Sequence, residues 1–348
     1  MEHPTPKTSK WGKWLAAGCG CAGLFLIAVP LLYTFGRSAV PAGPAAPLEI
    51  PFVTAESENT DSSDPAATDP SATVSKPPAS SGSPASDPTF PIERPPEELR
   101  RDFVFPEEGR AALDALLAGY EGVSVFYQDI GSGATYEYRP LEKYPAASVV
   151  KAPYCLYVLD LVSQGKADLN QVFTYTEEWK REGTGKIKDM PFGTTLTLRD
   201  LIRYAIETSD NTAFAMIRSA YPVGGYRAYA ERFGLTYPED IRNGANSLLC
   251  ARDAGAYIAA IDQFIRTNPY GPELQSYMRR TINPMIRSSY PMARKYGWMK
   301  GAYHDMAIVY APHPYRLVIL SDHDGGTKED LQMFREISAL IERYSGNT

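Results

Sequence analysis

Three short polar clusters in this chain carry residue types that can do acyl-transfer chemistry. The first is Ser148-Val-Val-Lys151, within Tyr144-Pro-Ala-Ala-Ser-Val-Val-Lys-Ala-Pro153. A serine alcohol is a poor nucleophile at neutral pH and needs a base within hydrogen-bond reach. If a helix starts at Ser148, positions i and i+3 share a face and the Lys151 amine stands beside the hydroxyl. The positive end of the same helix dipole then lies under Ser148, where an oxyanion can be stabilised. The second cluster is Ser209-Asp210-Asn211, and the third is Lys295-Tyr296-Gly297, with His304-Asp305 shortly after it. Alone, a Ser-x-x-Lys match arises about once by chance in a chain of this length. Ser209 and Asn211 alone would be read as helix caps, and Lys295 as an ordinary strand lysine. The ordered set carries the weight, not any one member.

The elements that must position these residues can be read from periodicity. Pro106-Glu-Glu opens a helix with apolar positions Leu113, Leu116, Leu117 and Tyr120. Strands are expected at Val123–Gln128 and Ala134–Tyr138 around a Gly-rich turn, followed by the Ser148 helix. Thr197-Leu-Arg-Asp200 has the form of a capping box before an amphipathic helix. Further helices are expected at 212–220, 224–233 and 251–266, and strands at Lys295–Trp298, Met306–Ala311 and Tyr315–Leu320. Thr327-x-x-Asp330 caps a last helix whose Leu331, Phe334, Ile337 and Ile341 face inward. This order predicts a two-lobed α+β fold. An antiparallel sheet of about five strands carries the terminal helices, an all-helical lobe is inserted, and a cleft lies between lobe and sheet.

The 348 residues carry a net charge of −6, and residues 41–92 alone, with seven acids and only Lys76, account for it. The remainder is balanced and has no basic field, so nucleic acid is not an expected partner. Lys7, Lys10 and Lys13 precede a stretch from Trp14 to Gly36 with no charged residue over 23 positions. Such a run can span a bilayer as a helix, with residues 1–13 cytoplasmic and the rest outside. A cleaved signal peptide is the rival reading, with Ala39-Val40-Pro41-Ala42 as a cleavage site. Residues 37–95 are rich in Pro, Ser, Thr and acids and read as a disordered tether. From residue 96 to 348 the composition is globular. Cys155 lies on an apolar helix face and reads as a core thiol; its spacing from Cys250 gives no support to a disulfide, nor does it exclude one. No metal-ligand spacing is present, and neither a metal nor an organic cofactor is expected.

With the three motifs in this order, residues 100–345 resemble the class A β-lactamases and related penicillin-recognising serine hydrolases, which use Ser-x-x-Lys, Ser-Asp-Asn and Lys-Thr-Gly. The flanking Tyr-Pro-Ala-Ala-Ser-Val-Val-Lys, Leu-Thr-Leu-Arg-Asp-Leu and Ser-Asp-Asn-Thr-Ala resemble the family's wording too. The resemblance implies that Ser148 is the acylated nucleophile and Lys151 a base or proton relay. Ser209 would pass a proton to the leaving nitrogen, and Asn211 would bind the substrate amide. Lys295 would supply positive potential, with Gly297 beside it in the substrate site. The backbone N–H groups of Ser148 and Trp298 would form the oxyanion hole. Asp210 would be a buried structural carboxylate.

Departures from the family pattern concern the second half of the reaction. The glutamate that activates the deacylating water has its nearest match in Glu239-Asp-Ile-Arg-Asn243, with Arg where the family has Leu and a short loop. The family Asn that pins this loop is Ala215 here, and the middle of the third motif is Tyr296, whose ring puts the hydroxyl elsewhere than a threonine would. The expectation is therefore a membrane-anchored, extracytoplasmic, monomeric serine hydrolase. It would act on a small-molecule β-lactam or a peptidoglycan peptide, and most directly would open β-lactams. The alternatives are a peptidoglycan D,D-carboxypeptidase and a non-hydrolytic wall-binding or sensor protein.

Overall fold

The computed structural model describes residues 99–347 apart from Asn243. The membrane span expected at 14–36 and the tether expected at 37–95 lie outside these residues, and so does Asn243 of the Glu239 motif. Among the described residues no helix is long and apolar enough to cross a membrane.

The chain opens with α1 (Glu107–Leu117), then strands β1 (Val123–Asp129) and β2 (Thr135–Tyr138). A short strand β3 (Tyr144–Pro145) leads into a 3₁₀ turn, Ala147–Val150, and α2 (Lys151–Ser163). The hairpin of β4 (Val172–Thr174) and β5 (Thr195–Thr197) precedes α3 (Leu198–Glu207), α4 (Asn211–Ala220) and α5 (Val223–Ala230). After β6 (Leu248–Leu249) come α6 (Ala251–Thr267) and α7 (Gly271–Arg279). Strands β7 (Met292–Met299), β8 (Ala302–Val309) and β9 (Tyr315–Ser321) and helix α8 (Lys328–Tyr344) complete the fold.

The main sheet has the order β2-β1-β9-β8-β7, antiparallel throughout. Strand alternation divides its side chains between two cores. Met306, Ile308, Val318 and Leu320 join the core made with the helical lobe. Ala307, Val309, Leu317 and Ile319 join the other, under α1 and α8, with Leu113, Leu117, Phe334, Ile337 and Ile341. Strand β8 is buried at every position, as a strand covered on both faces must be. Both predicted capping boxes form: Thr197 and Thr327 each accept from the backbone of Asp200 and Asp330, whose carboxylates reach back. The two-lobed architecture is the expected one.

Several boundaries differ from the sequence reading. Helix α7 was not among the expected helices; α6 ends at Thr267 and Gly271-Pro272 starts a new helix. Strand β8 starts at Ala302, four residues before the expected Met306, because the polar pair His304-Asp305 is buried within it. At Ser148 the chain forms a 3₁₀ turn instead of the first turn of an α-helix, which begins at Lys151. Cys155 and Cys250 are both free and buried.

Candidate active site

The nucleophile candidate is held by a short ribbon. Tyr144 and Pro145 pair with Leu249 and Leu248. The ribbon continues as Ala146 N–H donates to Ser247 O (2.7 Å) and Ala147 N–H to Ala245 O (3.0 Å). His304 ties the ribbon to the main sheet. Its Nδ1 accepts from Ser321 N–H (3.1 Å), so Nε2 carries the proton and donates to Pro145 O at 2.8 Å. Burial pushes the His304 pKa down to about 4, which keeps this tautomer neutral. Ala147 takes a left-handed conformation (φ 47°) directly before Ser148. A non-glycine residue there costs on the order of 1–2 kcal/mol and persists only when its surroundings fix it; the ribbon bonds do so. Ser148 is the one partly exposed residue among Ala146–Val150.

Strand β7, at the sheet edge, presses against this turn. A Cβ on Gly297 would lie 3.0 Å from Ser148 N and Val149 N and 3.1 Å from the Ala147 Cβ. Only a glycine admits this approach without displacing backbone. As an edge strand, β7 has every second N–H directed away from β8. Trp298, the next residue, is 48% exposed, and its indole donates to Asp324 O at 2.6 Å.

Ser209 is where the two lysines meet. It is fully buried in a left-handed conformation (φ 54°) between α3 and α4. Lys295 Nζ donates to its hydroxyl at 3.0 Å and to Tyr296 O at 2.8 Å. Lys151 Nζ donates to Ser209 O at 2.5 Å and to Asn211 Oδ1 at 2.7 Å, and lies 3.4 Å from Ser209 Oγ. Neither lysine is ion-paired with a carboxylate among the described residues. Burial is the largest influence on both. It lowers Lys151 to about 7, opposed by the field of Asp210, and lowers Lys295 well below the usual lysine range, helped by the charge of Lys151.

Asn211 opens α4, and Asp210 caps it by accepting from Ala213 N–H at 2.9 Å. The loop at 182–187 is fastened to this corner. Asp210 Oδ2 accepts from Lys186 N–H (2.6 Å) and Ile187 N–H (2.9 Å), Asn211 Nδ2 donates to Glu182 O (2.8 Å), and Thr184 Oγ1 donates to Ser209 O (2.7 Å). Gly185, at φ 120°, has no room for a Cβ, which would fall 2.3 Å from Asp210 Cγ. Asp210 thus has the buried structural position expected of it.

Ser148, Lys151, Ser209, Asn211, Lys295 and Gly297 converge on one corner between the lobe and the edge of the sheet. Glu239 makes none of the hydrogen bonds described above. It stands exposed on the 3₁₀ turn Pro238–Asp240, and no hydrogen bond or ion pair links it to Ser148, Lys151 or Ser209 among the described residues. Its neighbour Asp240 is the buried one, paired with Lys143 at 2.6 Å. The chain beside Ser148 at this point is the backbone of Ala245 and Ser247. Sequence reasoning missed His304 as the anchor of the nucleophile ribbon; its place seven residues after Gly297, on a strand across from it, was the available signal.

A neutral Lys151 amine can do specific chemistry here. In the neutral form its two N–H groups donate to Ser209 O and Asn211 Oδ1, which leaves the lone pair available to accept a proton.

Comparison with known proteins agrees with this geometry. Residues 109–345 match the model of the Beta-lactamase enzyme family. A β-lactamase of Bacillus subtilis (strain 168) is 29% identical over 224 residues, covering 58% of this chain and 71% of that protein. A β-lactamase of Bacillus licheniformis is 28% identical over 269 residues, covering 70% of this chain and 83% of its own. Among solved structures, PBP-A superposes with a TM-score of 0.62 at 18% identity, covering 73% of this chain and 98% of that one. The chain belongs to the β-lactamase enzyme family and is a serine hydrolase of the class A β-lactamase and D,D-peptidase fold.

Proposed function

We propose that this protein forms an acyl-enzyme at Ser148 by opening the amide of a β-lactam ring, and that it releases the product slowly. The observation that carries the first half is the meeting of Lys151 and Lys295 on Ser209, one helical turn from a partly exposed Ser148. Neutral Lys151 takes the Ser148 proton as its oxygen attacks the carbonyl. The N–H groups of Ser148 and Trp298 hold the resulting oxyanion. Lys151 returns the proton through Ser209 to the leaving nitrogen, so the Ser148 O–H and the ring C–N break while an ester C–O and an N–H form. Lys295 lowers the energy of charge on Ser209 and attracts the substrate carboxylate, and Asn211 orients the substrate amide.

Slow release is supported by the exposed position of Glu239 and by Ala215 in place of the asparagine expected to pin its loop. A persistent β-lactam ester also suits a second reading, a peptidoglycan D,D-carboxypeptidase, whose own ester is formed from a wall peptide and then passes to water. PBP-A, the structural neighbour above, has a variant solved as an acyl-enzyme with penicillin G. A membrane anchor at 14–36 and a tether at 37–95 would place the domain outside the cytoplasm, where either substrate is met. One experiment separates the readings: incubate the chain with penicillin G and with a peptide ending in D-Ala-D-Ala. Ring opening without D-alanine release supports the β-lactamase reading; D-alanine release supports the peptidase. Neither reaction, with no ester on Ser148, would contradict both and favour a non-hydrolytic binding protein.

A further inference from the structure

Arg218 lies in the last turn of α4 and is half-buried. A cation there suits the negative end of the helix dipole, but the dipole alone would be served as well by an exposed side chain. Its guanidinium carbon instead stands 4.9 Å from the centroid of the buried Phe214 ring, and Lys151 Nζ lies 5.7 Å from the same centroid. The guanidinium also meets Gly244. A Cβ on that glycine would fall 3.0 Å from Arg218 Nη1, 3.4 Å from Cζ and 3.8 Å from Nη2, so the group rests against the Gly244 backbone. Gly244 has φ 100°, a conformation that glycine alone adopts readily.

The turn at 244–247 is the one beside the nucleophile. Gly244 O accepts from Ser247 N–H (3.0 Å) and Ser247 Oγ (2.8 Å), which closes it. Its Ala245 O and Ser247 O receive the N–H groups of Ala147 and Ala146, the bonds that hold Ala147 left-handed before Ser148. Arg227 on α5 fastens the chain just ahead of the turn, donating to Ile241 O at 2.7 Å. Residue 215, where an asparagine was expected to pin this loop, is a buried alanine with no polar side-chain atom. It lies three positions before Arg218, on the same side of α4.

We propose that Arg218 is a positioning residue: seated against Phe214 and Gly244, its guanidinium clamps the turn at 244–247 to α4 and so fixes the backbone that presents Ser148. A planar, delocalised guanidinium stacks on an aromatic face, whereas a lysine ammonium is a compact, strongly hydrated charge. Made from 218 and not from 215, the contact holds the turn beside Ser148 and leaves Glu239 exposed. The inference rests on the acyl-transfer reading above for its effect on rate.

Two measurements on the full chain test it, for the wild type, Arg218→Ala and the milder Arg218→Lys. The first is hydrogen–deuterium exchange, read by mass spectrometry on peptides covering 144–150, 241–249 and, as a remote control, 302–321. Both variants should exchange severalfold faster over the first two, with the third unchanged, because loss of a clamp opens the chain locally. The second is rapid-mixing acylation by penicillin G, resolved into an apparent binding constant and a limiting rate. A misplacement of about 1 Å can cost on the order of 10²-fold, so a shift of a few tenths should slow the limiting rate roughly tenfold, with binding unchanged. Unchanged exchange over 144–150 or 241–249, faster exchange over 302–321 in both variants, a wild-type limiting rate in Arg218→Lys, or a loss confined to binding would each overturn the proposal. If the wild type forms no ester, the acyl-transfer reading fails, and the exchange data still decide whether the clamp exists.

Discussion

Lys151 governs the first step through its protonation state. An amine at about 7 is half neutral near physiological pH, whereas an unshifted lysine would be almost wholly charged. A base must be unprotonated to accept, so acylation by penicillin G should rise with pH through about 7 and then level off. Lys151→Ala should cut the acylation rate on the order of 10²–10⁴-fold, the usual share of a positioned base, and abolish that inflection. Stopped-flow acylation rates between pH 5 and 9 check both. The five polar residues that meet here were legible because their types and order were unusual together. The environment of Arg218 was not, since a sequence places a side chain on a helix face but does not show what lies beyond its far end. The role of Glu239 was not legible for a related reason. A carboxylate at the right chain interval from an asparagine says nothing about which side of its turn faces the serine.

At the scale of elements, the site depends on three backbones held close: the β3–β6 ribbon, the 3₁₀ turn and edge strand β7. Gly297→Ala tests that contact. A Cβ at 3.0 Å from two backbone nitrogens forces β7 and the turn apart by a few tenths of an ångström. Since a misplacement of about 1 Å can cost on the order of 10²-fold, the variant should fold but acylate roughly tenfold more slowly. Equal rates would show that the gap is not set by this contact. His304 makes a separate prediction about stability. Its folded pKa of about 4 lies below the ordinary 6.5, so between these values the unfolded chain binds the extra proton and stability falls as pH falls. The loss should approach the order of 3 kcal/mol at about pH 4. Denaturant titrations from pH 7 to 4 should show it in the wild type, and His304→Gln should lack this component. Helices with caps and clear periodicity were legible to within a residue or two. The start of β8 was not, because His304 and Asp305 are polar by type but buried by tertiary bonds.

For the molecule as a whole, the two-lobed architecture follows from the order of elements. Strands fore and aft of a helical block must find each other to satisfy their edges, and the block is left on one face. The pairing of β1 with β9, far apart in sequence, could be expected from this logic, but its register could not. The sequence outside the described residues makes its own prediction. With Lys7, Lys10 and Lys13 before an uncharged run from Trp14 to Gly36, protease added to intact cells should release the catalytic domain. Protection of that domain until the membrane is opened would contradict the proposed topology.

The central claim is an acyl-enzyme that forms readily at Ser148 and breaks down slowly. Intact mass spectrometry of the full chain at intervals after mixing with penicillin G tests it most directly, with peptide mapping of any adduct and ring opening followed in parallel. The account predicts a single adduct on Ser148, absent in Ser148→Ala, appearing with a burst of ring opening and then persisting through slow turnover. Rapid steady turnover with no detectable adduct would contradict slow release, and an adduct on any other serine would contradict the site.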